Sequence, residues 1–467
     1  MQLTVGFDLD MTLVDTRSGV RASMLRLAEE LDVAIDADLA VSRLGPPLED
    51  ELACWLPAAV VPAAAERFRE LMAASGAADC VALPGAVEAV QAVRAAGGRA
   101  VVVTAKSTAL AELTLAAAGI EVDAVHGLLF GVGKATALRS EGASVYVGDH
   151  PQDVTAARAA DAVAVGVGTG GAAPTGADVV LTDLTAFPAW HDEHLLDQRL
   201  RRLDARLREL GSVLVAFSGG ADSAFLLAAA ARSLGPASVV AATAVSPSLA
   251  GAELPAAAAF AASLGVRHVT PGTDELDRPG YVANAGDRCF HCKATLLDTL
   301  RPLAADLGLA QVATGTNADD AVAGFRPGIQ AAAQRGAATP LLDAGLTKAQ
   351  VREASRRWGL VTADKPALAC LASRIAYGVP VTSSRLARVD RVETALRVHL
   401  GGVVTDLRVR DLGEDRARVE LDPVALEACD ELALDLVRAE GFTSVTRAAY
   451  RTGSLNDALA GPPAAGR

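Results

Sequence analysis

The stretch VLVAFSGGADSAFLL, residues 213–227, sets the architecture that we expect for the second half of this chain. Its first five residues are apolar and predict a buried strand, the serine and glycines predict a tight turn, and the remainder opens a helix. Backbone N–H groups in such a turn, together with a helix N-terminus, can hold a pyrophosphate group. No lysine follows the glycines, so the stretch differs from a Walker loop.

Strand-like and helix-like segments alternate on both sides of this stretch. The strand-like segments are residues 3–9, 99–105, 124–130, 144–149 and 162–168 upstream, and 238–246, 267–272 and 310–320 downstream. Such alternation predicts parallel sheets that are covered by helices on both faces. We therefore predict an α/β fold with two parallel-sheet units and a small C-terminal α+β part, in which residues 404–421 form two antiparallel strands.

The character of the sequence changes at two places, which predicts three domains. Residues 194–211 read as a charged linking helix, and a different pattern begins near residue 381. We expect a first domain at 1–190 with a helical cap at about 16–82, a second at 191–380, and a third at 381–467 that serves substrate binding or oligomerisation.

Composition and charge indicate which class of protein to expect. The chain has 467 residues, of which 51% are hydrophobic but only 4% aromatic, so its cores should consist of alanine, valine and leucine. The net charge of −13 argues against a nucleic-acid partner. We see neither a signal-peptide pattern nor a membrane-spanning segment. We expect a cytoplasmic enzyme with small-molecule substrates, reduced cysteines and a homo-oligomeric assembly.

Polar residues follow the first predicted strands, at the edge where open parallel sheets bind ligands. Asp8 can attack phosphorus as a nucleophile, and Asp10 can act as a general acid and base. Thr104 ends the next strand and can hold a phosphate oxygen, whereas Lys134 opens a helix and can neutralise a phosphoryl group. These residue types together indicate phosphoryl-transfer chemistry.

Two further acids complete a candidate metal site. Asp149 and Asp153 follow a later strand and, with Asp8, supply hard oxygen ligands for Mg²⁺. The segments DLDMT, VVVTAK, GKATAL and GDHPQD, in this order, resemble the four motifs of the haloacid dehalogenase superfamily over about residues 1–188. The helical insert resembles the cap of the phosphoglycolate-phosphatase-like branch. The resemblance implies a Mg²⁺-dependent phosphohydrolase with an aspartyl phosphate at Asp8, and the alternative is a module that only binds or regulates.

The Gly-rich turn at 218–223 resembles the PP-loop of ATP pyrophosphatases, which cleave ATP between its α and β phosphates and adenylate an oxygen. The nucleotide-binding residues that it implies are Ser218, Gly219, Gly220, Asp222 and Ser223. Members of this family include synthetases, tRNA thiolases and sulfur insertases, so the subclass depends on the rest of the chain.

Four downstream stretches supply that information. Their candidate site residues are Asn317 and Asp319, then Cys289 and Cys292, then Cys370, Ser373 and Arg374, and finally Arg408 and Arg410. Arg374 lies about one helical turn beyond Cys370, where a positive charge would favour the thiolate. Arg408 and Arg410 alternate with apolar residues on a predicted strand, so both could face one phosphate.

Together with the PP-loop, these stretches resemble the LarE family over about residues 200–456, most specifically at KPALACLASR, residues 365–374. Its members are ATP-dependent sacrificial sulfur transferases that help to build the nickel-pincer nucleotide cofactor of lactate racemase. The resemblance implies that ATP adenylates a carboxylate of a pyridinium mononucleotide with the assistance of Mg²⁺. Cys370 would then attack the acyl adenylate, and loss of its sulfur would leave dehydroalanine. The alternative is a PP-loop enzyme of another kind, such as a tRNA thiolase.

The CxxC pair allows several interpretations. Cys289 and Cys292 could form a zinc knuckle, a redox pair or part of the core, or could hold a [4Fe–4S] cluster with Cys370 that accepts external sulfide. The remaining cysteines, Cys54, Cys80 and Cys429, we expect to be structural. One departure from the family is the C-terminal VTRAAYRTGSLND, which lacks an acid before Asp457, where relatives tend to carry one.

Overall fold

The computed structural model describes residues 3–169, 171–322, 326–366 and 370–451. The chain divides into two compact units, Met1–Leu195 and Leu196–Arg467. Among the described residues, no helix is both long enough and apolar enough to span a membrane.

The first unit is built on a parallel sheet. Its strands are β1 (Thr4–Phe7), β2 (Val14–Asp15), β3 (Val81–Ala82), β4 (Arg99–Val103), β5 (Ala124–His126), β6 (Ala143–Gly148), β7 (Val163–Val167) and β8 (Val179–Leu181). The sheet order is β5-β4-β1-β6-β7-β8 with every pairing parallel, and β2 and β3 form a separate antiparallel pair. The order reverses direction at β1, and a doubly wound sheet binds ligands at such a point.

The helices of this unit fall into two groups. Those inserted between β2 and β3 are α1 (Arg17–Leu31), α2 (Ala37–Ser42), α3 (Leu48–Leu52) and α4 (Val61–Ala74), and we call this group the cap. Those that connect the sheet strands are α5 (Ala86–Ala95), α6 (Thr108–Ala117), α7 (Lys134–Ser140) and α8 (Pro151–Ala159). The predicted helical insert and parallel sheet are thus confirmed. The next helix, α9 (Phe187–Leu210), contains the residues between which the two units divide.

The second unit contains a smaller parallel sheet. Its strands are β9 (Val213–Ala216), β10 (Val239–Ala242), β11 (Arg267–Val269) and β12 (Gln311–Thr314), in the order β11-β10-β9-β12. The helices around them are α10 (Ala221–Leu234), α11 (Glu253–Ser263), α12 (Pro279–Val282), α13 (Arg288–Asp306), α14 (Ala318–Val322), α15 (Pro327–Gln334), α16 (Pro340–Asp343) and α17 (Lys348–Arg357). The order reverses at β9, so the turn after β9 lies at the ligand-binding edge of the sheet.

The C-terminal part has its own sheet and core. It comprises α18 (Ser383–Leu400), β13 (Leu407–Asp411), β14 (Arg416–Leu421), α19 (Pro423–Ala428), α20 (Glu431–Ala439) and β15 (Ser444–Ala449). As predicted, β13 and β14 are antiparallel, and β15 adds a parallel strand beside β14. The core here also includes Tyr281, Leu371, Ala372 and Ile375, so it draws on chain that precedes residue 381.

Small aliphatic side chains fill the cores, as the composition predicts. In the second unit, Ala224, Ala229 and Ala230 of α10 are buried against β9 together with Leu226 and Leu227. Alanine lets helix and sheet approach closely, and close packing is what gives a core its dispersion energy.

Candidate active sites

The first site lies at the carboxyl ends of β1, β4 and β6. Asp8 directly follows β1, Thr104 follows β4, and Asp149 follows β6, so the topology brings together residues that are far apart in sequence. Asp8 is 8% exposed and Thr104 is 1% exposed. The side chain of Thr104 accepts a hydrogen bond from the Lys106 backbone N–H at 3.2 Å, which shapes the turn after β4.

Lys134 joins two of the acids. Its Nζ lies 2.8 Å from Asp8 Oδ1 and 2.7 Å from Asp153 Oδ1, and the residue is only 3% exposed. Burial raises the pKa of Asp8 well above its usual value, against the opposing effect of the Lys134 charge. Burial lowers the pKa of Lys134, but the two carboxylates outweigh it and raise that pKa overall. Lys134 therefore stays charged in this enclosed position.

Asp10 has two partners of its own. Thr16 Oγ1 donates to Asp10 Oδ1 at 2.6 Å, and Lys106 Nζ lies 2.9 Å from the same oxygen. The sequence analysis did not select Lys106 as a site residue. The signal for it was present, because Lys106 is the second residue after Thr104 at the end of β4.

Three carboxylates lie close enough together to form a candidate metal site, and they belong to Asp8, Asp149 and Asp153. Their carboxylate oxygens all lie within 4.8 Å of one another. Gly148 permits this approach, since a Cβ on it would lie 2.4 Å from Asp153 Cγ. Burial raises the pKa of Asp149 to about 6, and Thr12 Oγ1 donates to its Oδ1 at 2.9 Å. Three hard oxygen donors in a buried cluster fit Mg²⁺, which would neutralise charge on a bound phosphoryl group.

A cavity of about 100 Å³ adjoins Asp8 and Asp10 and extends to the cap. Two cap arginines line it. Arg43 Nη2 lies 2.7 Å from Glu51 Oε1, and its guanidinium carbon is 5.6 Å from the centre of the Trp55 ring. Trp55 in turn donates to Glu51 at 2.8 Å. Arg69, the second cap arginine, pairs with a glutamate of α3.

The second site begins at the turn after β9. Ser223 Oγ donates to the Gly220 carbonyl oxygen at 3.1 Å, accepts from Ser218 N at 3.3 Å and lies 3.1 Å from Ser218 Oγ. Gly219 has a φ of +74°, a conformation that glycine adopts without strain. The helix α10 then begins after Gly220 without a side-chain cap. The turn is therefore shaped by its own serines, and the helix N-terminus stays open to a phosphate.

Acids from the end of β12 face this turn. Burial, and then the nearby Asp320 carboxylate, raise the pKa of Asp222. Asn317 is fully buried, and its Oδ1 accepts from Asp320 N at 3.1 Å. Asp319 Oδ2 accepts from Lys348 N at 2.8 Å, at the start of α17. Asn317 thus lies on the short segment that connects β12 to α14, Asp319 lies in the first turn of α14, and both organise the backbone beside the PP-loop turn.

Lys365 contacts the turn itself. Its Nζ donates to the Gly219 carbonyl oxygen at 3.0 Å and lies 2.9 Å from Glu253 Oε2. Arg352 holds the Lys365 backbone in place, with Nη2 2.9 Å from the Lys365 carbonyl oxygen. The start of KPALACLASR is therefore attached to the PP-loop. Residues 367–369 of this stretch lie outside the described residues.

One cavity of about 780 Å³ extends from the turn after β9 to the cysteine region. Its lining includes Ser218, Gly220, Asp222 and Ser223 at one end, and Cys292, Lys293, Cys370 and Arg374 at the other. Burial, with a smaller effect of the Cys370 thiol, raises the pKa of Cys292 to about 12. Burial also lowers the pKa of Lys293. The volume lies within the range of roughly 300–1,000 Å³ that is typical of ligand sites.

Backbone contacts hold the Cys370 segment against the rest of the unit. The N–H of Leu371 donates to the Ser248 carbonyl oxygen at 2.9 Å. Arg288, at the first turn of α13, donates from Nη1 to the Ala372 carbonyl oxygen at 2.8 Å and to Asn284 Oδ1 at 2.5 Å. Because Cys289 and Cys292 belong to the same helix, Arg288 also fixes the CxxC pair relative to Cys370. Sequence reasoning missed this residue, although it opens the RCFHCK segment.

Arg374 is bound mainly to an acid that the sequence analysis did not select. Its Nε donates to Glu393 Oε1 at 2.9 Å, and its Nη1 donates to the Cys370 carbonyl oxygen at 3.2 Å and to Ser373 Oγ at 3.1 Å. Glu393 also accepts from Val409 N at 2.9 Å. Arg374 thus shares its charge with a buried carboxylate, and its expected effect on the Cys370 thiol stays a prediction.

Arg408 and Arg410 lie on one face of β13, as their spacing requires, and each is 6% exposed. Arg410 Nε donates to Glu420 Oε2 at 2.9 Å, and its Nη1 donates to the Ser373 carbonyl oxygen at 2.7 Å. Burial lowers the pKa of Arg408. A phosphate bound here would have to share Arg410 with Glu420, which the sequence pattern did not reveal.

In the part of the chain that the structure describes, the cysteines do not come together with enough other ligands for a zinc site. Among the described residues, the triad of Asp8, Asp149 and Asp153 is the group whose ligand atoms lie close enough together for a single metal ion. Cys289 and Cys370 are exposed, and Cys292 is partly buried. The zinc knuckle considered for the CxxC pair is therefore not formed by this part of the chain. A [4Fe–4S] cluster is a separate matter, because its cysteines bind different iron atoms.

Comparison with known proteins identifies both parts. A family model described as haloacid dehalogenase-like hydrolase matches residues 5–158. Solved structures similar to the first unit include a predicted phosphoglycolate phosphatase from Haemophilus somnus 129pt, with 20% identity and a TM-score of 0.37 over 41% of this chain and 98% of that one.

Two curated relatives match the remainder of the chain. An uncharacterized Synechocystis protein, slr1717, is 41% identical over 275 residues, which are 57% of this chain and 99% of the relative. The pyridinium-3,5-bisthiocarboxylic acid mononucleotide synthase of Lactiplantibacillus plantarum is 31% identical over 262 residues, which are 55% of this chain and 93% of the relative. The chain is therefore a fusion of a haloacid dehalogenase-like hydrolase with a member of the LarE family.

Proposed function

We propose that the second unit uses ATP to transfer sulfur to an adenylated pyridinium carboxylate mononucleotide, in the synthesis of the nickel-pincer nucleotide cofactor, and that the first unit is a Mg²⁺-dependent phosphohydrolase. The observation that carries the first part is the single 780 Å³ cavity lined by both the PP-loop and Cys370. The named relative, a mononucleotide synthase, supports the same substrate class.

The residues of the second unit fit two successive displacements. The turn at Ser218–Ser223 binds the β and γ phosphates, and a substrate carboxylate oxygen attacks the α-phosphorus, so that pyrophosphate leaves. The Cys370 thiolate then attacks the acyl carbon, and AMP leaves with the electron pair of the broken C–O bond. Both reactions need their partners within one enclosed space, which the shared cavity supplies.

The source of sulfur has two versions. In the sacrificial version, a base removes the Cα proton of Cys370 after acyl transfer, and the Cβ–S bond breaks with its electron pair going to sulfur. The product keeps the sulfur as a thiocarboxylate, and Cys370 becomes dehydroalanine. In the alternative, Cys289, Cys292 and Cys370 would hold a [4Fe–4S] cluster with one iron open, and external sulfide would supply the sulfur for repeated turnover. Arg288 holds α13 against the Cys370 segment, and this contact is compatible with both versions of the sulfur source.

The first unit fits phosphoryl transfer through an aspartyl phosphate. Asp8 is the nucleophile, and Asp10 donates a proton to the leaving oxygen and later accepts one from water. Lys134 holds the Asp8 carboxylate at 2.8 Å and contributes positive charge next to the phosphoryl group. Asp8, Asp149 and Asp153 would hold Mg²⁺.

Intact-protein mass and peptide mapping test the proposed sulfur transfer. After incubation with ATP, Mg²⁺ and the pyridinium dicarboxylate mononucleotide, we expect pyrophosphate release and loss of the elements of hydrogen sulfide at Cys370 alone. Cys370→Ser should still release pyrophosphate but transfer no sulfur, and Cys54→Ser, at an exposed cysteine of the cap, serves as the matched control. Anaerobic protein that contains iron and turns over with added sulfide would favour the cluster. An unmodified Cys370 in iron-free protein after turnover would contradict both versions.

A further inference from the structure

The cavity of the first unit limits the size of its substrate. Its volume of about 100 Å³ compares with about 780 Å³ in the second unit. Sites for nucleotide-sized or drug-sized ligands usually offer roughly 300 Å³ or more. A phosphoryl group placed against Asp8 therefore leaves room for only one further small group. Nucleotides, including the AMP that the second unit would release, and aryl phosphates would extend beyond this cavity.

Three cations line the cavity together with four acids, which are Asp8, Asp10, Glu49 and Glu51. Lys106 approaches from the sheet, and Arg43 and Arg69 approach from the cap. Carboxylates accompany all three, since Lys106 pairs with Asp10, Arg43 with Glu51, and Arg69 with Glu49.

The cap arginines keep the capacity to bind an anion despite these pairs. Each guanidinium offers five N–H donors. Arg43 pairs with one carboxylate, and Arg69 pairs with Glu49 and lies 3.5 Å from Glu66, so each guanidinium keeps donors for a further anion. Apolar side chains complete the walls, among them Met24, Phe68 and Leu110. They lower the local dielectric constant and so strengthen the attraction between these cations and an enclosed anion.

We infer that the first unit hydrolyses inorganic pyrophosphate, the by-product of the adenylation that we propose for the second unit, and the inference rests on that proposed function. Pyrophosphate is a phosphoryl group joined to one more phosphate, which is the small, doubly anionic shape that the cavity accommodates. The chain would itself produce one such molecule for each ATP that it cleaves.

The reaction balances without any further reactant. Asp8 attacks one phosphorus, the bridging P–O bond breaks, and the first phosphate leaves with the electron pair and a proton from Asp10. Water then attacks the aspartyl phosphate, Asp10 accepts its proton, and the second phosphate leaves, so that pyrophosphate and water yield two phosphates. Adenylation by ATP is reversible, and the removal of pyrophosphate would drive it forward.

The first experiment measures the substrates of the full-length protein with Mg²⁺. We expect kcat/KM for pyrophosphate to exceed that for p-nitrophenyl phosphate by about tenfold or more, with negligible turnover of AMP. Arg43→Gln and Arg69→Gln should each raise KM for pyrophosphate about tenfold, the size of one lost charge-assisted hydrogen bond, and should raise KM for p-nitrophenyl phosphate less. Arg21→Gln, at an exposed cap ion pair with Asp38, should change neither KM value.

The wild-type protein alone can overturn the inference, whatever the stability of the variants. Pyrophosphate turnover no faster than that of p-nitrophenyl phosphate would do so, as would a clear preference for phosphoglycolate, a carboxylate-bearing phosphate of similar size. A second experiment follows ATP cleavage in the complete reaction. Wild type should release two phosphates per AMP, whereas Asp8→Asn should accumulate pyrophosphate. Added pyrophosphate that is hydrolysed while ATP stays intact would reject the proposed sulfur transfer but not pyrophosphate hydrolysis itself.

Discussion

Lys134 is the residue that offsets the charge repulsion among the buried acids of the first unit. It lies between Asp8 and Asp153, within 2.8 Å and 2.7 Å of their oxygens, where water can contribute little solvation. Several carboxylates packed this closely repel one another unless a cation neutralises them. In the proposed mechanism the same cation would lie next to the phosphorus that Asp8 attacks, so stability and chemistry would both depend on one side chain.

We expect Lys134→Met to destabilise the first unit strongly. Removing one partner of a buried ion pair typically costs about 3–5 kcal/mol in the free energy of unfolding, because an uncompensated charge remains. Urea denaturation with and without Mg²⁺ measures this loss, and Mg²⁺ should restore part of it because it supplies positive charge to the same acids. Arg21→Met removes an exposed cation and should change stability little. Equal effects of the two substitutions would refute the role of Lys134.

The candidate site residues could be selected from the sequence, but many of their hydrogen-bond and ion-pair partners could not. Asp8, Lys134 and Cys370 stand in motifs whose spacing is local in sequence. Lys365, in contrast, reaches the Gly219 carbonyl oxygen across 146 residues of sequence. No periodicity or spacing encodes such a contact, since it depends on how two distant segments pack.

Among the elements of the second unit, the start of α10 lies very close to the end of β12. A Cβ on Gly315, directly after β12, would lie 2.9 Å from Ser223 N and 3.0 Å from Ser223 Cα. These are backbone atoms in the first turn of α10 and cannot move aside as the end of a side chain can. The absence of a side chain at Gly315 therefore lets the helix N-terminus reach the sheet edge.

We expect Gly315→Ala to displace the first turn of α10 and weaken ATP binding. Overpacking of this kind usually costs about 1–3 kcal/mol, and part of the loss should appear as a higher Kd for ATP. Isothermal titration calorimetry with ATP and Mg²⁺ measures it. The control is Gly272→Ala, because a Cβ there would meet nothing within 4 Å. Unchanged ATP affinity in Gly315→Ala would show that the contact does not shape the loop.

Most strands of the two parallel sheets were predictable, whereas β2, β3 and β15 were not. The apolar runs of β1, β4, β6 and β9 are continuous, as strands buried on both faces require. By comparison, β2 and β3 have two residues each, which is too short for any alternation to be recognised. The missed strand β15 is largely exposed, so its residues carry no apolar signal.

At the scale of the whole molecule, each unit has its own sheet and its own cavity at the carboxyl ends of the strands. We therefore expect the two activities to be separable by point substitution. Asp8→Asn should abolish phosphate release from p-nitrophenyl phosphate and leave AMP formation intact, because a neutral amide is a poor nucleophile. Ser223→Ala should do the reverse. Parallel assays of phosphate and AMP on both variants provide the check, and loss of both activities in either variant would contradict this independence.

Because Trp55 contacts Arg43, we expect its fluorescence to report ligand binding at the cap. The protein has three tryptophans, and Trp55 lies 5.6 Å from the Arg43 guanidinium carbon while it donates to Glu51. Indole emission responds to nearby charges, so an anion that draws Arg43 towards Asp8 should shift the fluorescence of Trp55. Trp358, packed 4.8 Å from Phe225 in the other unit, provides a steady background. Titration with pyrophosphate should therefore change the fluorescence spectrum of the protein, and this change should disappear in Trp55→Phe. Fluorescence would then measure pyrophosphate binding before hydrolysis takes place.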